Sequence, residues 1–262
     1  MITAGVDVGL TYVKVVILKD LERVGYSIAP TGSDPDITSK YVLKEALNMA
    51  SLKKEDIDFI VSTGNGRRAT SLTNQTISEI SANTRGAQWL GANLDIRTII
   101  DIGGQDTKVI VLDDNLQILN FIMSDKYDTG IGRFLEAIAN VLDVPFESIG
   151  ELSLRSKNPV NITNIQILFA KPELARFIFN GHKKEDIIAG IYRAVAQRLV
   201  AMARRVGLRG MVFFNGGPAM NIGMIKALEN ELGMKLYVPE LPQMVAATGA
   251  TLIAAERFIE NA

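Results

Sequence analysis

The sequence predicts an α/β fold built twice, as two domains with a ligand cleft between them. Three observations carry the prediction. "DVGLTYVKVVIL" at residues 7–18 and "DIGGQDTKVIVL" at residues 101–112 both read Asp, aliphatic, Gly, four variable residues, Lys and four aliphatics. Each copy is followed by strand patterns that alternate with helical ones, the signature of layered α/β domains. Aliphatic runs also stop at glycine turns in "STGNG" and "FFNGGPAMN", where an α/β domain presents contacts to a ligand. One hairpin of this kind is common. Two that agree at Asp, Gly, Lys and the flanking aliphatics, ninety-four residues apart, indicate duplication.

The elements follow in order. "ITAGVDVG" is a short aliphatic strand entering a turn, "YVKVVIL" a second strand and "GYSIAPTG" a third. "ITSKYVLKEALNMASL" carries apolar residues at helical spacing, and "IDFIVSTGNG" is a strand ending at glycine. "NQTISEISANTRGAQWLG" reads as a helix with small residues on one face. "RTIIDIGG" restarts the strand pattern and opens the second hairpin. "GRFLEAIANVLD" and the long amphipathic "DIIAGIYRAVAQRLVAMARRVG", ending at Gly207, are helices. "RGMVFFNGG" is a buried strand, "MIKALENELG" a helix, "KLYVP" a strand and "MVAATGATLIAAERFIEN" a closing helix. The domains are expected at 1–95 and 96–262, with the closing helix 244–262 packing back on the first.

Composition excludes several chemistries. Apolar residues make up 47% of 262, enough for a substantial core. The formal charge is −1, which argues against a nucleic-acid backbone as the main partner, because phosphate binding on that scale needs a basic face. No apolar run of about eighteen residues predicts a membrane helix, and no signal-peptide pattern opens the chain. A cytoplasmic location is expected. The chain has no cysteine, so it can form no disulfide, zinc–thiolate site or cysteine-held iron–sulfur cluster from its own residues. His182 is the one histidine and reads as a solvated loop residue, which leaves a Ser/His/Asp triad without support.

The turns suggest anion chemistry. Gly9 in one hairpin, and Gly103 with Gly104 in the other, let backbone approach a ligand, and turn amides can bind phosphate oxygens. Asp7, Asp101 and Asp106 lie beside those turns. A carboxylate next to a phosphate needs an intervening cation, and Mg²⁺ held through water is the usual one. Lys14 and Lys108 either add positive charge or face solvent. Gly130 and Gly132 precede a helix whose free amides favour anions, unless this is an ordinary junction capped by Asp128 or Thr129. Asn215, Gly216 and Gly217 end a buried strand. Arg204, Arg205 and Arg209 suit a helix C-terminus, and Trp89 and Met123 read as packing residues.

The order of these motifs resembles the phosphate-1, phosphate-2 and adenosine pattern of the actin/Hsp70/sugar-kinase (ribonuclease H-like) superfamily. "STGNGR", "ISEISANTRGA", "IDIGGQDTKVI", "SDKYDTGIGRFLEAIANVL", "LFAKPE", "DIIAGIYRAVAQRLV" and "NGGPAMN" narrow the resemblance to the BadF/BadG/BcrA/BcrD ATPase family across essentially the whole chain. It includes activators of 2-hydroxyacyl-CoA dehydratases and ATP-binding subunits of benzoyl-CoA reductases. The resemblance implies two actin-like domains, a dimer, MgATP in the cleft, and hydrolysis that drives a low-potential electron from a dimer-bridging [4Fe–4S] cluster to a partner enzyme. Asp7, Gly9 and Thr11 match its first phosphate turn; Asp101, Gly103, Gly104, Gln105 and Asp106 match the second. Gly130, Gly132, Gly216 and Gly217 match nucleotide-contacting turns. Gln105 or Asp106 is the candidate for orienting the attacking water, with Asp7 and Asp106 near the metal.

The chain departs from the family where the cluster would be held. Tyr127 and Gln166 stand at the cysteine positions, and Lys171 replaces the usual Glu. Three readings follow. The chain is an ATP-hydrolysing activator that moves a partner without its own cluster. Alternatively it serves an acyl-CoA reductase or dehydratase complex whose cluster sits on another chain. The third is a small-molecule (sugar) kinase, for which no sugar-binding acid is evident. A homodimer or related-subunit dimer is expected, in which two Tyr127 side chains would meet as an apolar plug.

Overall fold

The computed structural model describes residues 1–124, 130–163 and 167–261, the side chains of 167–171 excepted. The chain divides into two compact units, one of Met1–Leu94 with Gln243–Ala262 and one of Asp95–Pro242.

In the first unit, β1 (Ile2–Val8), β2 (Tyr12–Lys19) and β3 (Glu22–Pro30) form an antiparallel meander. Helix α1 (Pro35–Ala50) crosses to β4 (Phe59–Thr63), which joins β1 in parallel. A two-residue strand, β5 (Gln75–Thr76), completes the order β3-β2-β1-β4-β5. It occupies part of a stretch whose composition reads as helix; α2 (Glu79–Leu90) begins only after Ser78, which caps Ser81 N–H. Asp34 caps α1 by accepting from Asp36 and Ile37 N–H, with Pro35 at the first helical position.

Alternation along β1 decides which helix covers which face. Ala4, Val6 and Val8 enter a core with Val42, Leu43, Ala46 and Leu47 of α1. On the opposite face stand Thr3 and Gly5, which meet the closing helix α8 (Val245–Glu260). Thr3 Oγ1 donates to Thr251 O at 3.1 Å, and a Cβ on Gly5 would overlap Ala247 O. The same tightness recurs between helices, where a Cβ on Gly86 of α2 or Gly249 of α8 would overlap backbone carbonyl oxygen of the other helix. Small residues thus let α8 lie against strand and helix together.

The second unit repeats the sheet. Strands β6 (Ile96–Ile102), β7 (Thr107–Leu112) and β8 (Ile118–Met123) form the meander, and β9 (Met211–Gly216) and β10 (Leu236–Tyr237) extend it in parallel, in the order β10-β9-β6-β7-β8. Helices α3 (Ile131–Val141), α4 (Ile149–Ser153), α5 (Ile167–Phe179), α6 (Lys184–Val206) and α7 (Ile222–Leu232) accompany it. Ile100, Ile102, Val109 and Val111 pack with Phe134 and Leu135 of α3 and Ile191, Val195 and Leu199 of α6. Gly207, at φ 95°, ends α6, with Arg204 and Arg205 in its last turn. Asn221 caps α7.

Strand β8, and helices α4 and α5, had no clear signature in the sequence. β8 is an edge strand exposed along most of its length. Met123 is exposed there, which corrects its reading as a packing residue. Trp89 is half-buried on α2. His182 is exposed beside Phe177, as a loop histidine should be. Among the described residues no helix is long and apolar enough to cross a membrane.

Candidate nucleotide site

Each unit builds its turn from the same local physics. Val8 pairs with Val13, and Gly9 N–H donates to Tyr12 O at 3.1 Å, leaving Leu10 and Thr11 as a two-residue hairpin tip. In the second unit Ile102 pairs with Thr107 and Gly103 N–H donates to Asp106 O at 2.9 Å, leaving Gly104 and Gln105 as the tip. Register therefore equates Gly9 with Gly103 and Thr11 with Gln105. A neighbouring strand end steadies each turn. Thr31 Oγ1 donates to Gly9 O at 2.8 Å and Thr31 N–H to Thr11 O at 3.0 Å; Thr107 N–H donates to Ser124 Oγ at 3.0 Å.

The conserved register also aligns charge. Asp7 stands opposite Lys14, and Asp101 opposite Lys108. Lys14 Nζ lies 2.9 Å from Asp7 Oδ2. Lys108 Nζ lies 2.8 Å from Asp106 Oδ1 and 3.5 Å from Asp101 Oδ2, with only 1% of its side chain exposed. Neither lysine simply faces solvent: each neutralises the carboxylates that flank its turn. Asp106 has Tyr12 at its equivalent position, so the second lysine meets a carboxylate that the first turn lacks.

The parallel partner of each central strand completes the pattern. Thr63 pairs with Asp7, and Asn215 with Asp101, to whose Oδ1 it donates from Nδ2 at 3.0 Å. The next residues, Gly64 at φ 93° and Gly216 at φ 91°, are left-handed. A Cβ would overlap Val8 O at the first and Ile102 O at the second, so both positions require glycine. Gly217 then opens a short turn of 3-10 helix, Gly217–Met220.

Helix α3 sits directly on the second turn. Gly130 is its N-cap and no side chain caps the helix; Arg133 N–H, in the first turn, donates to Gly104 O at 3.4 Å. A Cβ on Gly130 would overlap Gly104 O and Gln105 Cα, and one on Gly132 would come within 2.9 Å of Gly103 O. Arg133, two residues into the helix, places Nη1 and Nη2 at 2.8 and 3.2 Å from one end of the Gln105 amide, and that end is assigned as Oε1 because a guanidinium can only donate. Asp128 and Thr129, the expected caps, and Tyr127 and Gln166, the cluster-equivalent positions, lie outside the described residues.

A strand-turn-strand unit with aligned Asp and Lys is thus present twice, each beside a parallel strand that ends in a left-handed glycine. The chain matches the BadF/BadG/BcrA/BcrD ATPase family over residues 4–254. It belongs to that family. Over 254 residues it is 40% identical to the (R)-2-hydroxyglutaryl-CoA dehydratase activating ATPase of Acidaminococcus fermentans, covering 96% of each chain. Over 261 residues it is 38% identical to the 2-hydroxyisocaproyl-CoA dehydratase activator of Clostridioides difficile, covering 100% of this chain and 97% of the relative. The solved structure of that activator with bound ADPNP superposes with a TM-score of 0.92 at 36% identity, over 100% of this chain and 97% of that one. A ROK family glucokinase from Streptomyces griseus, at TM-score 0.61 and 12% identity over 98% of this chain and 100% of that one, shares the fold alone. The fold is the actin-like one of the superfamily.

For a member of this ATPase family, the fit to nucleotide and metal can be tested on the residues. Thr11 Oγ1 is buried with no hydrogen-bond partner among the described residues, at the tip of the first turn. A bound phosphate oxygen would satisfy it. Among the described residues no three His, Asp or Glu side chains converge as a metal cage. Asp7 and Asp106 are carboxylates at the two turns, the kind of oxygen ligand that Mg²⁺ takes alongside water and phosphate. A thiolate-held cluster does not fit, since the chain has no cysteine.

The sequence marked Thr63 and Gly64 only as part of the strand-end turn "STGNG", and it assigned Arg133 no role. Thr63 and Gly64 emerge once β4 is seen beside β1, as Asn215 and Gly216 stand beside β6. The signal was the repeat itself, carried one strand further. Arg133 had no local signature, because its role depends on where α3 docks.

Proposed function

We propose that this chain binds and hydrolyses MgATP and couples hydrolysis to a conformational change that activates a partner enzyme of the CoA-ester dehydratase or reductase type, without an iron–sulfur cluster of its own. The observation that carries the reading is the paired Asp–Gly–Lys turn, kept twice in a chain that has no cysteine. The partner class follows from the relatives, which are named as dehydratase activators.

In this reading Gly9, Thr11, Gly103, Gly104 and Gln105 supply backbone and tip groups to the phosphates. Asp7 and Asp106 hold Mg²⁺ through its waters, and the ion would neutralise charge on the transferred phosphoryl group. Lys14 and Lys108 fix the carboxylates and balance their charge. Gly130 and Gly132 bring helix amides close to the second turn, and Gly216 and Gly217 admit the rest of the nucleotide. Gln105 or Asp106 orients the attacking water. Rate enhancement then rests on positioning and charge stabilisation. The reading implies a cytoplasmic protein, working as a homodimer or paired with a related subunit.

A second reading is favoured by the same missing cysteine. The chain would serve an electron-transfer complex whose cluster lies on another polypeptide. A sugar kinase is not favoured, since likeness to the glucokinase is confined to fold.

The test is MgATP hydrolysis by the purified protein beside Asp106→Ala. Turnover without an acceptor, lost in the variant, supports the activator. Binding that yields turnover only after a partner is added supports the complex. A protein that binds no nucleotide removes both.

A further inference from the structure

Gln105 occupies the tip position that Thr11 occupies in the first turn. A hydroxyl donates and accepts with one atom, whereas a primary amide has a donor end and an acceptor end. Which end of Gln105 is presented therefore decides what it can do.

Arg133 makes that decision. A guanidinium has only donors, so the amide must turn its oxygen toward it, and Oε1 accepts from Nη1 and Nη2 at 2.8 and 3.2 Å. The NH2 group is then directed away from Arg133. The clamp is seated firmly: Arg133 N–H reaches Gly104 O at 3.4 Å, and backbone of the turn fills the space where Gly130 and Gly132 would carry a Cβ. Main-chain contacts thus fix the start of helix α3 on the turn, and the Arg133 side chain spans the remaining distance to Gln105. An amide whose oxygen is held by a cation also presents a more strongly polarised NH2.

We propose that Arg133 is a positioning residue for ATP hydrolysis: it locks the Gln105 amide so that Gln105 donates to oxygens of the transferred phosphoryl group, leaving Asp106 as the acceptor that orients the water. This rests on the β6–β7 turn being a phosphate turn. In the step itself, water oxygen bonds to the γ-phosphorus, the bond from that phosphorus to the β-bridging oxygen breaks, and the water proton passes to an acceptor. A donor amide cannot take that proton; a carboxylate can. The first turn offers a parallel, since Thr11 Oγ1 at the equivalent tip is buried with no partner among the described residues and, as a hydroxyl, can also donate.

The experiment compares wild type, Arg133→Met, Arg133→Lys, Gln105→Glu and the double variant Arg133→Met/Gln105→Glu. Two readouts are taken: kcat for MgATP, and affinity for MgADP with and without aluminium fluoride, which stands for the transferred phosphoryl group. Arg133 is exposed, so its replacement leaves the fold intact. Gln105→Glu keeps an acceptor for Arg133 but has no donor. Its losses in kcat and in the tightening by aluminium fluoride, on the order of 100-fold, should exceed any change in MgADP affinity. Arg133→Met should lose roughly 10- to 100-fold through misplacement of the amide, with part restored by Arg133→Lys. The double variant should be no worse than Gln105→Glu. Wild-type behaviour of Arg133→Met or of Gln105→Glu overturns the proposal, as do losses that multiply in the double variant. A wild type that binds no MgADP overturns the phosphate-turn reading beneath it. One that binds MgADP without tightening by aluminium fluoride overturns the donor role alone.

Discussion

Replacing Lys108 by Met removes one ammonium from between two carboxylates. Lys108 is 1% exposed, and its Nζ lies 2.8 Å from Asp106 and 3.5 Å from Asp101, whose side chains are 21% and 12% exposed. Breaking a fully buried pair by removing one partner costs about 3–5 kcal/mol, because a charge is left desolvated. Partial exposure of both carboxylates, and the hydrogen bond that Asn215 still donates to Asp101, lower the expectation to about 3 kcal/mol. For a unit of roughly 150 residues that is a fall in melting temperature of about 6–12 °C. Lys14→Met is the internal control. Its side chain is 18% exposed, so water can better replace it beside Asp7, and about 1–2 kcal/mol is expected. Differential scanning calorimetry without nucleotide measures both. Adding Asp106→Asn to Lys108→Met should return about 1 kcal/mol by removing one uncompensated charge. A Lys108→Met protein that melts with the wild type, or no lower than Lys14→Met, would refute the view that this lysine is a buried counterion.

Three further outcomes are expected. Gly216→Ala should cost about 1–3 kcal/mol from its left-handed backbone alone, and more from overlap with Ile102 O, with Gly64→Ala behaving alike in the first unit; urea unfolding measures both. Gly5→Ala should force α8 off β1 and destabilise the first unit by about 1–3 kcal/mol, read through the fluorescence of Trp89, the single tryptophan. Asp36 is held at about 2 by hydrogen bonds from Lys40 and then Ser71, below its ordinary 3.8. A carboxyl depressed in the folded state adds stability above its unfolded value and loses it as pH falls toward the folded one. The acid limb of stability between those values should therefore flatten in Asp36→Asn, measured by urea titration at a series of pH values.

The sequence by itself determined the duplication, the two hairpin turns and the family. Those rest on local chemistry: a glycine-bearing turn between aliphatic strands, with Asp and Lys at fixed offsets, reads the same before and after folding. It also settled that no thiolate of this chain holds a cluster. Tertiary structure decided what the offsets could not. A lysine on a hairpin strand looks alike in sequence whether it meets water or a carboxylate; only the sheet register and burial show that Lys108 lies between Asp101 and Asp106. Gly5, Gly86 and Gly249 are scattered along the chain, and their common purpose appears only where α8 lies against β1 and α2. Gln105 could have offered either end of its amide until α3 brought Arg133 beside it. Side-chain direction, burial and partner depend on contacts distant in sequence, and folding alone brings those residues together.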